Sequence, residues 1–146
     1  MFSSINVFVT PKTILLVDNN PQELRLLAAE LRTNGYHVLE TDSPSGAQMI
    51  VNDGIRVDLL VTAHEMPVLN GMEIATWLRS KYEHIPVLVI TTMPEIAAIN
   101  GLFHPSFVCR GKPLRMSEIT QTVAQMFGAT AQYRGPGPLA APALAR

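Results

Sequence analysis

The sequence predicts an α/β fold: a parallel sheet buried between helices. Three observations carry this. Five short apolar runs recur along the chain and stop at polar or small residues. Segments with apolar residues at helical spacing fall between them. Turn and capping signals such as Asn-Pro, Ser-Pro, Asn-Gly and Asp-Gly separate the two kinds of segment. Strands alternating with helices require parallel pairing through right-handed crossovers.

The elements follow in order. Residues 1–12, of modest β propensity (Ile5, Val7, Phe8, Val9) and ending at Pro11, read as an extra edge strand, an interface arm or a loose tail, with a partly ordered N-terminal arm favoured. Ile14–Val17 is an apolar run of the kind buried on both faces of a parallel sheet. Asn20-Pro21-Gln22-Glu23 starts the first helix. Asn20 can cap it, Pro21 suits its first position, and Glu23 can close a capping box. Leu24, Leu27, Ala28 and Leu31 make the inward stripe, and Asn34-Gly35 ends the helix. Tyr36–Glu40 is the second strand. Ser43-Pro44 begins a second helix that Asp53-Gly54 stops. Val57–Thr62 is the third strand, and Gly71–Tyr82 the third helix, with Ile74 and Leu78 inward. Ile85–Thr91 is the fourth strand. Residues 94–103 predict a fourth helix, broken at Asn100-Gly101. Phe107–Cys109 is the fifth strand. Ser117 is placed as the cap of the last helix, whose stripe is Ile119, Val123 and Phe127. From 128 to 146 the chain turns to Ala, Pro and Gly, cannot bury a core, and reads as a disordered tail or linker.

Composition narrows the function. A length of 146 residues suits one domain and is short for two. A net charge of −1 supplies no electrostatic footprint for nucleic acid. No apolar run approaches the ~20 residues of a membrane helix, and the N-terminus lacks the basic stretch and apolar core of a signal peptide. A single cysteine, Cys109, excludes an internal disulfide and fits a reducing compartment. A cytoplasmic domain acting on neither nucleic acid nor membrane is the expectation.

Four segments, in order, carry a resemblance. They are Ile14-Leu15-Leu16-Val17-Asp18-Asn19-Asn20, then Asp58 to Pro67 with Asn70-Gly71, then Pro86 to Thr92, and finally Lys112-Pro113. Together they resemble the receiver domain of bacterial response regulators, the CheY-like superfamily, over about residues 13 to 127. The resemblance implies a flavodoxin-like (βα)5 three-layer sandwich with a five-stranded sheet in the order 2-1-3-4-5. Functional residues in such a sheet sit at the carboxyl ends of the strands. Asp18, Ala63, Thr91 and Lys112 fall there or just beyond.

Aspartyl phosphorylation needs a carboxylate nucleophile, Mg²⁺ to shield the phosphoryl oxygens and a lysine to neutralise residual charge. In the family, two adjacent acids after strand one and the acceptor aspartate form the acidic pocket. Here Asp18 remains, the second acid is Asn19, and the acceptor position holds Ala63. A methyl group cannot attack phosphorus. Asp58 cannot substitute, since it lies five residues earlier on an extended strand, roughly 16 Å away. Glu65 stands where the family uses a backbone carbonyl as metal ligand. Its side chain either holds a cation with Asp18 or is a solvated loop glutamate, the reading favoured here. His64 reads as a loop or core-edge histidine, without a partner at metal-ligand spacing.

Thr91 matches the family's hydroxyl residue, which bonds the phosphoryl group in the active state; with no phosphoryl group it reads as a strand-end threonine. Lys112 matches the family's lysine, and its expected partner is Asp18 in a partly buried ion pair. Its bond to Pro113 is often cis in relatives. The family's aromatic three residues before the lysine falls on Cys109 by direct counting, or on Phe107 if Gly111 belongs to an insertion. Trp77 and Tyr82 are either core-edge packing or part of a contact patch.

The resemblance therefore implies a degenerate, pseudo-receiver module of a two-component or phosphorelay pathway. It would act by protein–protein interaction, with no enzymatic activity and no Mg²⁺ or other cofactor. A histidine kinase, another regulator or an output protein would be its partner, with homodimerisation left open. Two other readings stand beside it: a phosphorylatable receiver with an engineered Asp-to-Ala substitution at 63, and an unrelated ligand binder on the same fold.

Overall fold

The computed structural model describes residues 10–93, 106–113 and 115–131. Nine elements follow one another along the described residues: β1 (Thr13–Val17), α1 (Pro21–Thr33), β2 (His37–Thr41), α2 (Pro44–Asn52), β3 (Leu59–Ala63), α3 (Gly71–Lys81), β4 (Val87–Thr91), β5 (Phe107–Gly111) and α4 (Met116–Ala131). All four strand pairings are parallel, in the order β2-β1-β3-β4-β5. This is the flavodoxin-like order that the resemblance implied.

The period-two alternation of a strand divides the sheet residues between two cores. Ile14, Leu16, Leu59, Val61, Leu88 and Ile90 face one way, against Leu24, Leu27 and Leu31 of α1 and Ile119 and Val123 of α4. Leu15, Val17, Leu60, Val87 and Val89 face the other, against Ala47 and Val51 of α2 and Ile74, Ala75 and Leu78 of α3. β1, β3 and β4 are covered on both faces, which is why their sequences are nearly unbroken apolar runs. Parallel pairing also brings the carboxyl ends of all the strands to one edge of the sheet, and the polar residues that follow them gather there.

Local chemistry sets the helix boundaries. The Asn20 side chain accepts hydrogen bonds from the backbone N–H groups of Gln22 (3.0 Å) and Glu23 (3.1 Å). Ser43 caps α2 through the Gly46 N–H at 3.1 Å. The reciprocal capping box expected at Asn20 and Glu23 forms at α3 instead: Asn70 accepts from the Glu73 N–H at 2.9 Å, and Glu73 accepts from the Asn70 N–H at 2.8 Å. Glu23 is unavailable for a box because its carboxylate is drawn to Lys112. Gly35 (φ 95°) and Gly54 (φ 84°) take the left-handed conformation that ends α1 and α2.

The structure also moves some boundaries. α4 starts at Met116, one residue before the expected cap Ser117, which thus lies inside the first turn. The helix continues through Gly128 to Ala131, so its last turn takes in residues expected in the tail. The arm over residues 1–9, the helix expected over 94–103 and the tail beyond 131 lie outside the described residues. Trp77 and Tyr82 are partly buried and pack against the α2/α3 core, which favours the core-edge reading for both.

Candidate functional site

Asp18, the residue after β1, is buried. It stays inward because its Oδ1 accepts the Asn20 N–H at 2.9 Å and its own N–H bonds the Thr41 carbonyl at 3.2 Å. Asn19 beside it is exposed. Val17 pairs with Thr62 in the β1–β3 ladder, so the next step of the register sets Asp18 alongside Ala63, about 5 Å apart across neighbouring strands. Ala63 is buried, and its carbonyl accepts the Thr62 hydroxyl at 2.8 Å. Asp58 lies at the opposite end of the sheet, where it accepts the Thr13 N–H at 2.8 Å and pairs with Arg56 at 3.4 Å.

The loop after β3 is held on both sides. The His64 N–H bonds the Ile90 carbonyl at 2.9 Å, and the His64 carbonyl accepts the Gly71 N–H at 2.9 Å. The His64 Nδ1 is buried without a hydrogen-bond partner. No group of three or more His, Cys, Asp or Glu side chains able to hold a metal ion occurs among the described residues. Val68 sits in the left-handed region at φ 74°, an uncommon place for a β-branched residue.

Glu65 is an exposed loop residue, as expected, but its carboxylate is bound at the end of β4. One carboxylate oxygen accepts the Thr91 hydroxyl, and the other accepts the Thr92 N–H at 3.2 Å. Thr91 is fully buried, and its oxygen in turn accepts the Met93 N–H at 3.1 Å. Lys112 also departs from expectation. Its ammonium pairs with Glu23 of α1 at 3.1 Å; Asp18 feels its charge without a direct contact. Glu23 is the site residue that sequence reasoning missed. The capping pattern accounted for it locally, and its partner lies 89 residues away. The Lys112 N–H bonds the Thr91 carbonyl at 2.9 Å, and the Lys112–Pro113 bond is cis.

β5 pairs with β4 without interruption from Val87↔Phe107 to Thr91↔Gly111. Gly111 is therefore a ladder residue and not an insertion, and the position three before Lys112 belongs to Cys109. Phe107 packs at the edge of the α2/α3 core with the Arg79 guanidinium 6.0 Å from its ring centroid. Burial lowers the pKa of that guanidinium.

The two carboxylates respond oppositely to this environment. Burial pushes the Asp18 carboxyl above its ordinary 3.8, against the Asn20 N–H and the Lys112 charge. Burial also raises Glu65, but the hydrogen bonds from Thr91 and Thr92 outweigh it and hold the carboxyl below its ordinary 4.5. The linkage signs follow. A raised pKa favours the folded state below the unfolded value, and this contribution is lost as pH rises through the folded one. A lowered pKa favours the folded state above the unfolded value, and the contribution is lost as pH falls through the folded one. Asp18→Asn is thus expected to stabilise the domain at neutral pH and Glu65→Gln to destabilise it. Both differences from the parent should shrink on acidification through the two carboxyl values. Urea midpoints at neutral and acid pH check both signs.

This geometry can be set against known proteins. The profile described as response regulator receiver domain matches residues 14–124. The chain belongs to the response-regulator receiver family. Among curated relatives, the response regulator MprA of Mycobacterium ulcerans (strain Agy99) is 36% identical over 108 residues, covering 73% of this chain and 46% of the relative. The polar-differentiation response regulator DivK of Brucella anthropi is 28% identical over 83 residues, 56% of this chain and 67% of that one. A response regulator receiver protein from Sinorhizobium medicae WSM419 superimposes with a TM-score of 0.73 at 22% identity, covering 82% of this chain and 96% of that one. The chain spans about half the length of the MprA relatives it matches, 46–57% of each. This receiver domain thus has the family's fold, and no helix among its described residues is long and apolar enough to cross a membrane.

Proposed function

We propose that this receiver domain is a pseudo-receiver: a cytoplasmic signalling module that works through protein–protein contacts, without aspartyl phosphorylation and without enzymatic activity of its own. The observation that carries the reading is Ala63 at the carboxyl end of β3, alongside the buried Asp18. The acceptor position offers a methyl group and a carbonyl already engaged by Thr62. Neither is a nucleophile for phosphorus.

The surrounding groups support it. A Mg²⁺ pocket needs oxygen ligands converging on one point, usually with one or two carboxylates. Here Asn19 is neutral and exposed, Glu65 is turned onto Thr91 and Thr92, and Asp18 is tied to the Asn20 N–H. These residues do not fit the ion. The two other groups that would meet a phosphoryl group, Thr91 and Lys112, are engaged by Glu65 and Glu23. A module of this kind signals through a partner that prefers one of its conformations. Its partners would be a histidine kinase, another regulator or an output protein of the pathway.

The test is intact-mass spectrometry of the full chain after incubation with acetyl phosphate and Mg²⁺. No phosphoryl adduct is expected. A hydroxylamine-sensitive adduct, the mark of an acyl phosphate, would overturn the proposal.

A further inference from the structure

The contact between Glu65 and the end of β4 is more than a loop side chain finding a neighbour. Glu65 follows β3 and Thr91 ends β4, so the bond ties two strand ends whose residues lie 26 apart in sequence. Both carboxylate oxygens are used, one on a fully buried hydroxyl and one on the next backbone N–H. The same hydroxyl oxygen accepts the Met93 N–H. The result is a relay: carboxylate to hydroxyl to the backbone where the chain leaves β4. A hydroxyl has one proton to donate, and with Thr91 donating to Glu65 its lone pairs remain for Met93. The carboxylate therefore sets the hydroxyl's direction, and the hydroxyl sets the start of the connection that follows. Such charge-assisted bonds are the stronger ones in a protein.

We infer that Glu65 is a built-in anion for the β4 terminus, a positioning residue that holds Thr91 and the backbone of Thr92 and Met93 in one arrangement without a phosphoryl group. The inference rests on the reading that this module works unphosphorylated, and it gives that reading a mechanism. The ligand that biases the conformation is part of the chain, so the bias is permanent until a partner competes for the Thr91 hydroxyl or the carboxylate.

The test is amide hydrogen exchange on the full chain, read at Thr92 and Met93, with amides of β1 and β2 as internal controls. Glu65→Ala is expected to speed exchange at both Thr92 and Met93 by about tenfold, the scale of one hydrogen bond to a charged group. Glu65→Gln keeps the shape and should give a smaller acceleration at the same amides. Thr91→Val should expose Met93, whereas Thr91→Ser keeps the hydroxyl and should restore protection. The Glu65→Ala and Thr91→Val effects at Met93 should not add, because both break the same relay. Unchanged protection at Thr92 and Met93 in Glu65→Ala, or additive effects in the double variant, sinks the inference. Acceleration at Thr92 and Met93 no larger than at the β1 and β2 controls also overturns it, since that marks only the general loss of stability expected from removing the carboxylate. The phosphodonor experiment on the parent chain decides the functional reading separately: an adduct there removes the pseudo-receiver assignment and leaves the exchange result standing.

Discussion

Gly71→Ala is expected to destabilise the domain by about 2 kcal/mol or more, the upper part of the range for forcing atoms into a packed site. A β-carbon at Gly71 would stand 2.5 Å from the Ala63 carbonyl oxygen and 2.9 Å from the His64 Cα. Both are backbone atoms of the strand end that carries the site, and the Gly71 N–H is itself bonded to the His64 carbonyl at 2.9 Å. The obstacle therefore cannot rotate away. Alanine's better helix propensity works the other way, but its full value of about 1 kcal/mol applies only inside a helix, and Gly71 is the first residue of α3. Gly46 offers a control. Its β-carbon would come within 1.9 Å of Thr41 Oγ1, a closer approach. That atom belongs to a side chain able to change rotamer, so Gly46→Ala should cost less than Gly71→Ala despite the shorter distance. Urea unfolding of both variants decides it. A Gly71→Ala midpoint indistinguishable from the parent's would contradict the structure of the β3–α3 loop.

Ala63→Asp is expected to lower stability at neutral pH without divalent cation by about 1–3 kcal/mol, the usual penalty for a poorly compensated polar group in a protein interior. Position 63 is buried and stands alongside Asp18, a carboxyl that burial already pushes upward. A second carboxylate there adds like-charge repulsion to desolvation. The same substitution completes a pair of facing carboxylates, the donor set Mg²⁺ prefers. A cation that binds only the folded state at a hundredfold over its dissociation constant returns about 2.7 kcal/mol. The variant should therefore gain thermal stability with Mg²⁺ while the parent chain does not. Equal Mg²⁺ responses, or a variant as stable as the parent in chelator, would show that position 63 does not control the pocket.

Much of this protein is legible locally. Leu15 and Leu16 announce a strand buried on both faces, and they reach opposite cores as period-two alternation requires. Asn20, Ser43 and the Asn34-Gly35 and Asp53-Gly54 pairs mark helix ends within a residue or two, because caps and left-handed turns are decisions of a few neighbouring atoms. The misplacement at Ser117 has the same scale, since helix ends are fixed only to within a residue or two.

The sequence by itself determined the order of strands and helices, the apolar stripes that bury them, and the methyl group at position 63 with Asp18 before it. Only the tertiary structure decided where the remaining charges go. Lys112 meets Glu23 rather than Asp18, and the exposed Glu65 turns its carboxylate onto Thr91 and Thr92. Capping and periodicity are set by bonds within a turn of chain. The direction of a long charged side chain is set by which donors the folded sheet brings within about 3 Å, and here those donors arrive from 89 and 26 residues away.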